Sequence, residues 1–297
     1  MEINKVAINH FQDIATNYRT IFFDAFGVLK NHRGVISGIE KTFRFLDEHD
    51  IDYYILTNDA SRSPEELSYA YISQGIKQLT PDKIISSGML ARDWLKLKVK
   101  EGTVAYLGTE QSAKYIEDAG LKTMAAKDLD GNTEDVRCLA FLDDEGFSWT
   151  NDLNKVVNFL RNNNVPVIVA NTDINYPVSN NDVAVAIGSL SNLVEKVVGK
   201  KFIRFGKPDV QMFMFGFEKA CKNRIVKKNE ILMVGDTLFT DIIGGNKFGI
   251  DTALVLSGNT LPKMADIRIT SSGIIPNYVC PSILMEEYRQ ARLRVVN

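Results

Sequence analysis

Asp24 closes the apolar run Ile21-Phe22-Phe23 and opens onto Ala25-Phe26-Gly27, which puts a carboxylate at a strand end with a tight turn behind it. The stretch Gly235-Asp236-Thr237-Leu238-Phe239-Thr240-Asp241 repeats that placement after another apolar run and offers two carboxylates five residues apart. Together the three acids could make a hard oxygen-donor site suited to magnesium, an ion that keeps waters in its shell and also contacts substrate phosphate. Taken singly, each has a plainer reading, because Asp after a strand commonly starts a turn. Lys207, in Phe205-Gly206-Lys207-Pro208-Asp209, could neutralise a phosphate or be a solvated surface charge. Thr57 and Asn58 could offer hydroxyl, amide and backbone donors to phosphoryl oxygens, or cap the next helix.

These residues need elements that bring them together. Short β-rich runs at Ile21–Phe23, Tyr53–Leu56, Thr103–Leu107, Leu139–Leu142, Val165–Ala170, Ile231–Val234 and Thr252–Leu256 alternate with helix-length segments. That alternation predicts βαβ units, parallel sheets and an α/β fold. In open α/β sheets ligands bind beyond the carboxyl ends of the strands, so the polar residues that end these runs can converge from distant positions. Ile39, Phe43 and Leu46 give Ile39–Glu48 the pattern of an amphipathic helix. Ser63-Pro64-Glu65-Glu66 opens another, with a capping serine, a proline at the first turn and acids at the positive end of the dipole. Asp128–Asp135, with Gly131 and Asn132, reads as a surface loop. Residues 88–204 carry their own strand and helix alternation and interrupt the strands that bear the polar termini. The expected architecture is a discontinuous core, residues 1–87 and 205–297, with residues 88–204 inserted as an α/β cap.

Composition excludes several classes. Charges balance at 35 basic against 37 acidic residues, so the basic field of a nucleic-acid reader is absent. Cys138, Cys221 and Cys280 are scattered and odd in number, fitting neither a disulfide framework nor a zinc cluster, and point to a reducing cytoplasm. Met1–Arg19 has no signal-peptide core and no run approaches a membrane span, so a soluble cytoplasmic protein with no membrane partner is expected.

In this order the pieces resemble the haloacid dehalogenase (HAD) superfamily of aspartate-dependent phosphotransferases. Asp24 with Gly27-Val28-Leu29 matches its first motif, Thr57-Asn58 its second, Lys207 its third, and Asp236 with Asp241 its fourth. The position of the insertion is similar to subclass IIA, the branch of nitrophenyl-phosphatase-like, nucleotide-phosphate and sugar-phosphate phosphatases. Ala170-Asn171-Thr172-Asp173 and Leu254–Thr260 resemble further stretches of that branch. The resemblance implies a Rossmann-like core with a parallel sheet and an inserted α/β cap. It also implies that Asp24 is a nucleophile forming an aspartyl phosphate, and that Thr57, Asn58 and Lys207 bind the phosphoryl group. Mg2+ would be held by Asp24, the Phe26 carbonyl and Asp236, with Asp241 in its outer shell. Asn171 and Asp173 would face a small phosphorylated metabolite from the cap. Caps of this subclass often take part in dimer contacts, which makes a homodimer an expectation.

Two residues depart from the pattern. Phe26 stands two positions after Asp24, where family phosphatases usually carry the Asp that protonates the leaving oxygen and activates water. Such assistance contributes about 100- to 10,000-fold, so slow turnover of alkyl phosphates is expected. A phosphate-ligand binding or regulatory protein is the alternative, and transfer to an acceptor other than water a third reading. Asp59 follows Thr57-Asn58 where relatives often have Asn; it either repels phosphate or caps a helix. Lys30 is near in sequence, without support for the Schiff-base chemistry of some relatives. His10, His32 and His49 have no ligand spacing, and Met212–Phe215 reads as part of a buried helix.

Overall fold

The computed structural model describes residues 7–131, 133–179 and 182–285. The strands of the first half are β1 (Thr20–Phe23), β2 (Lys30–Asn31), β3 (Gly34–Val35), β4 (Asp52–Thr57), β5 (Ile84–Ser86), β6 (Thr103–Leu107), β7 (Lys122–Ala125) and β8 (Val136–Phe141). Then follow β9 (Val167–Val169), β10 (Asn175–Pro177), β11 (Val183–Val185), β12 (Ile203–Arg204), β13 (Ile231–Gly235), β14 (Asp251–Val255) and β15 (Tyr278–Cys280). Six of them form a parallel sheet in the order β15-β14-β13-β1-β4-β5. Five others form a second parallel sheet, β12-β9-β8-β6-β7. The α/β class expected from the alternation is therefore the class observed. Both β1 and β13 are buried at every position, as parallel strands covered by helices on both faces must be.

Helix ends follow local chemistry. The Pro64–Ile72 helix starts at Ser63, whose Oγ accepts from the Glu66 amide at 3.3 Å while Glu66 accepts from the Ser63 amide at 3.2 Å. The Ile39–Glu48 helix buries Ile39, Phe43 and Leu46, the stripe seen in the sequence. In the Val210–Asn223 helix Met212 and Phe213 are buried and Phe215 packs partly buried on the core, while Met214 is exposed. One apolar cluster runs from Phe22, Leu56 and Ile85 through Leu90 and Leu95 to Val104 and Ile168, joining the two sheets by way of the Ser87–Lys98 helix.

Several short strands lacked a sequence signal. β5, β7, β12 and β15 have two to four residues each, too few to show a period. The antiparallel pairs β2–β3 and β10–β11 are equally short. In the expected Asp128–Asp135 loop Gly131 is exposed, and Asn132 lies outside the described residues. His10, His32 and His49 are exposed. Among the described residues no helix is long and apolar enough to cross a membrane, and the three cysteines are free.

Candidate active site

Three adjacent strands deliver the polar residues. β1 pairs with β13 through Phe23 and Val234, and with β4 through Phe23 and Ile55, so Asp24, Asp236 and Asn58 all leave the same sheet edge. Asp24, Asp236 and Asp241 each present a carboxylate oxygen within 4.8 Å of the others. Lys207 reaches the group from the segment after β12. Its ammonium is 2.6 Å from Asp24 Oδ1 and 2.7 Å from Asp241 Oδ1, and its side chain is 2% exposed. The surface-charge reading of Lys207 is thereby excluded.

Glycines make the close approach geometrically feasible. A Cβ on Gly27, whose φ is +81°, would stand 2.0 Å from Asp236 Oδ2, and one on Gly258 would stand 1.9 Å from the same atom. A Cβ on Gly235 would lie 2.1 Å from Asp241 Cγ. Asp236 Oδ2 accepts from the Asn259 amide at 2.6 Å, and its Oδ1 from the Thr237 hydroxyl at 3.0 Å. Asp241 Oδ2 accepts from the Thr237 amide at 3.1 Å. Its Oδ1 is fully buried, with the Lys207 ammonium 2.7 Å away. Gly258 and Asn259 lie in the Leu254–Thr260 stretch that carries the family resemblance, but their support of Asp236 is visible only in the fold.

Three carboxylates facing one ammonium leave an excess of two negative charges when all are ionised. The cost appears in the titration of the buried acids. Burial, then the charges of Asp24 and Asp241, raises Asp236 well above the ordinary carboxylate range. Burial and Asp24 push Asp241 up to about 7 against the opposing pull of Lys207. Burial opposes the charge on Lys207, but Asp24 and Asp241 outweigh it and hold its pKa above the usual lysine value. Excess negative charge and a cluster of hard oxygen donors fit a small divalent cation such as Mg2+.

Around this centre the sequence candidates divide. Thr57 is buried, and its hydroxyl oxygen accepts from the Asp59 amide at 3.1 Å, which leaves its O–H free to donate. Of the Asn58 donors expected for phosphate, the side-chain amide is engaged within the protein. Its Nδ2 donates to Asp173 Oδ1 at 2.8 Å, Thr172 Oγ1 at 3.1 Å and the Lys207 carbonyl at 3.0 Å, and its Oδ1 accepts from the Lys207 amide at 2.7 Å. Asn171 turns inward on its own loop, accepting from the Asp173 amide at 2.9 Å. Asp59 neither caps a helix nor stands unpaired: it receives Lys30 Nζ at 3.2 Å and both the amide and the hydroxyl of Ser61. Lys30 and Asp59 thus neutralise each other beside the site.

The Phe26 ring meets Tyr176 of β10 edge-on, with centroids 6.3 Å apart. Tyr176 in turn donates to Asp144 Oδ2 at 2.9 Å. Asp173, on the loop before β10, is partly exposed, and burial, reinforced by Asp24, pushes its pKa up to about 6 despite Lys207. Neither the Phe26–Tyr176 contact nor the Asn58–Asp173 contact had a sequence signal, because each joins residues more than 100 positions apart.

Comparisons with known proteins identify the family. The family model for haloacid dehalogenase-like hydrolases matches residues 21–122, and a second, HAD-hydrolase-like model matches residues 204–284. A crystal structure from Cytophaga hutchinsonii, described as a possible sugar phosphatase of the HAD superfamily, is 52% identical; the match covers 95% of this chain and 100% of that one, with a TM-score of 0.91. Mouse chronophin is 27% identical, over 93% of this chain and 94% of its own. The dihydroxyacetone phosphatase of Corynebacterium glutamicum is 26% identical, over 82% of each. With half of its positions shared along nearly the full length of one such protein, and both ends matched by family models, the chain belongs to the haloacid dehalogenase superfamily of hydrolases.

Proposed function

We propose that this chain is a magnesium-dependent phosphatase that hydrolyses a small phosphomonoester through an aspartyl phosphate on Asp24. The observation that carries the reading is Asp24 itself, a carboxylate held by a buried lysine and grouped with two further acids. Lys207 Nζ and the Ala25 amide both engage Asp24 Oδ1, at 2.6 and 2.7 Å, so Oδ2 is the oxygen presented to phosphorus. Attack by Oδ2 forms the carboxyl–phosphorus bond as the leaving oxygen departs, and water later cleaves the acyl phosphate. Thr57 donates its hydroxyl to a phosphoryl oxygen, and Lys207 offsets charge on the transferring group. Asp24, the Phe26 carbonyl and Asp236 would hold Mg2+, with Asp241 in its outer shell, and the ion would lower the repulsion between carboxylate and phosphate.

Residues 1–87 and 205–297 are read as the core and 88–204 as the cap, whose loop at Asn171–Asp173 faces the substrate. The Cytophaga protein's description and the Corynebacterium enzyme's name favour a small sugar or triose phosphate as substrate. Three scattered free cysteines favour a reducing, cytoplasmic setting. Phe26 favours a second reading, phosphate-ligand binding without turnover.

Phosphate release from sugar, triose and aryl phosphates, with and without Mg2+, separates the two. Release that requires Mg2+ and disappears in Asp24→Asn is expected of the phosphatase. Tight phosphate-ester binding with no release from any substrate would leave the binding protein.

A further inference from the structure

The lost proton donor leaves a chemical vacancy. With Phe26 in the usual position, no side chain of the nucleophile loop can protonate a leaving alkoxide or deprotonate the water that cleaves the acyl phosphate. In an in-line displacement the leaving oxygen points away from the attacking carboxylate. Asp24 attacks from the core sheet, so a substitute acid is best placed on the opposite, cap side.

The carboxylate on the segment joined to the Lys207 loop is Asp173. Asn58 ties the two together, touching Asp173 Oδ1 at 2.8 Å and the Lys207 amide and carbonyl at 2.7 and 3.0 Å. Thr172 adds a second tie, its hydroxyl donating to the Lys207 carbonyl at 2.7 Å. The loop is also fixed from behind. The Gly188 amide, in the first turn of the Ile187–Val198 helix, donates to the Asp173 carbonyl at 3.1 Å, and a Cβ on Gly188 would stand 2.4 Å from that oxygen. Asp173 is thus a rigidly mounted, partly exposed carboxyl within electrostatic reach of Lys207, Asp24 and Asp59. Of the other acids in this part of the chain, Asp144 is engaged by the Tyr176 hydroxyl at 2.9 Å, and Asp143 accepts from Thr109 at 3.3 Å and feels Asp144, Asp59 and Glu145 rather than the nucleophile and its lysine.

The geometry points to Asp173 as the general acid and base of the phosphatase, supplied from the cap in place of the carboxylate that Phe26 displaced. The inference rests on the phosphatase reading above. As Asp24 Oδ2 bonds to phosphorus and the P–O bond to the leaving group breaks, the Asp173 proton passes to the departing oxygen. In the second step Asp173 takes a proton from the attacking water. The new P–O bond forms, the bond to Asp24 breaks, phosphate leaves, and Asp173 is returned to its acid form. Burial already holds its pKa near about 6, so both forms are accessible around neutrality.

The test compares wild type, Asp173→Asn, Asp173→Ser and Asp143→Asn with glycerol 3-phosphate and p-nitrophenyl phosphate. Steady-state rates are taken across pH 5–8.5 and rapid-quench traces at one pH, on proteins whose melting matches wild type. Asp173→Asn keeps the acceptor that Asn58 needs; Asp173→Ser withdraws it from Asn58 by shortening the side chain, and either variant can carry the test. Loss of the acid should lower glycerol phosphate turnover by about 100-fold or more. With p-nitrophenyl phosphate, whose leaving group needs no proton, the variant should give a burst of about one phenolate per active site followed by slow release. The wild-type to variant ratio of kcat/KM for the alkyl ester should fall as pH rises through about 6, the value to which Asp173 is pushed; the ratio cancels substrate ionisation. Asp143→Asn should keep the wild-type profile. Equal losses with both esters and no burst, or the pH signature following Asp143, would overturn the assignment while leaving the phosphatase intact. A wild type that releases phosphate from neither ester would refute both readings.

Discussion

Removing metal should make stability depend on pH in a direction set by the acidic cluster. Asp241 is fully buried and its pKa is raised from the ordinary 3.8 to about 7, because Asp24 and burial oppose its charge more than Lys207 favours it. The metal-free folded state therefore holds this proton more tightly than the unfolded chain. Its contribution is fully present below about pH 4 and is lost as pH rises through about 7. One site shifted this far costs about 2–3 kcal/mol between pH 5 and pH 8. For a chain of this size that is about 4–10 °C in Tm. Asp236 shifts in the same direction, so the observed fall should be at least this large.

A divalent ion reverses the trend, since it binds the ionised cluster and only the folded state presents it assembled. Calorimetry or dye-monitored melting at pH 5 and pH 8, in EDTA and in 5 mM Mg2+, reads both effects. The Mg2+-induced rise in Tm should be small at pH 5 and larger at pH 8. Asp241→Asn, neutral at every pH and close in shape, should flatten the metal-free slope by about 2–3 kcal/mol. A metal-free protein equally stable at both pH values, or an Asp241→Asn variant with the wild-type slope, would refute the account of the buried acids.

Lys207→Met removes the one cation between Asp24 and Asp241; breaking a buried pair on one side should destabilise by about 3–5 kcal/mol at pH 8, read by urea unfolding, and by less at pH 5 where the acids take up protons. Gly27→Ala places a methyl 2.0 Å from Asp236 Oδ2 on a backbone with φ of +81°, and should weaken Mg2+ binding by about 10- to 100-fold, measured by calorimetric titration. Phe26→Asp restores a carboxylate at the usual position and breaks the ring contact with Tyr176. It should raise alkyl phosphate turnover, more so in an Asp173→Asn background, while costing about 0.5–1.5 kcal/mol of stability in a melt.

The sequence made the parallel sheets legible because β1, β4, β6 and β13 are buried runs that end in polar residues, and burial on both faces leaves a continuous apolar signature. It made the acidic centre legible because Asp24 and Asp236 each sit one step past such a run. Partners were not legible. Asn58 carries the residue type of a phosphate donor, yet its hydrogen bonds are decided by Thr172 and Asp173, more than 100 residues away. Lys207 shows the same limit in the other direction: a lone lysine has a surface composition, and only the fold reveals the two carboxylates that justify burying it. Asp59 likewise could not disclose Lys30 as its counter-ion from spacing alone, since the two lie on loops after different strands.

Phe26 and Asn58, on the loops after β1 and β4, both make contacts with residues 172–176. Phe26 gives up a titratable group and gains a ring contact with Tyr176, itself anchored on Asp144. Asn58 directs its amide to Asp173 and Thr172, which binds the second strand-end loop to the same segment. Lys30 neutralises Asp59, so the extra acid adds no net repulsion where a phosphate would approach. The first two contacts tie loops of the six-stranded sheet to residues 172–176, whereas the Lys30–Asp59 pair joins Lys30 of β2 to the loop after β4. On the phosphatase reading proposed above, these ties make both turnover and substrate choice depend on residues 171–176.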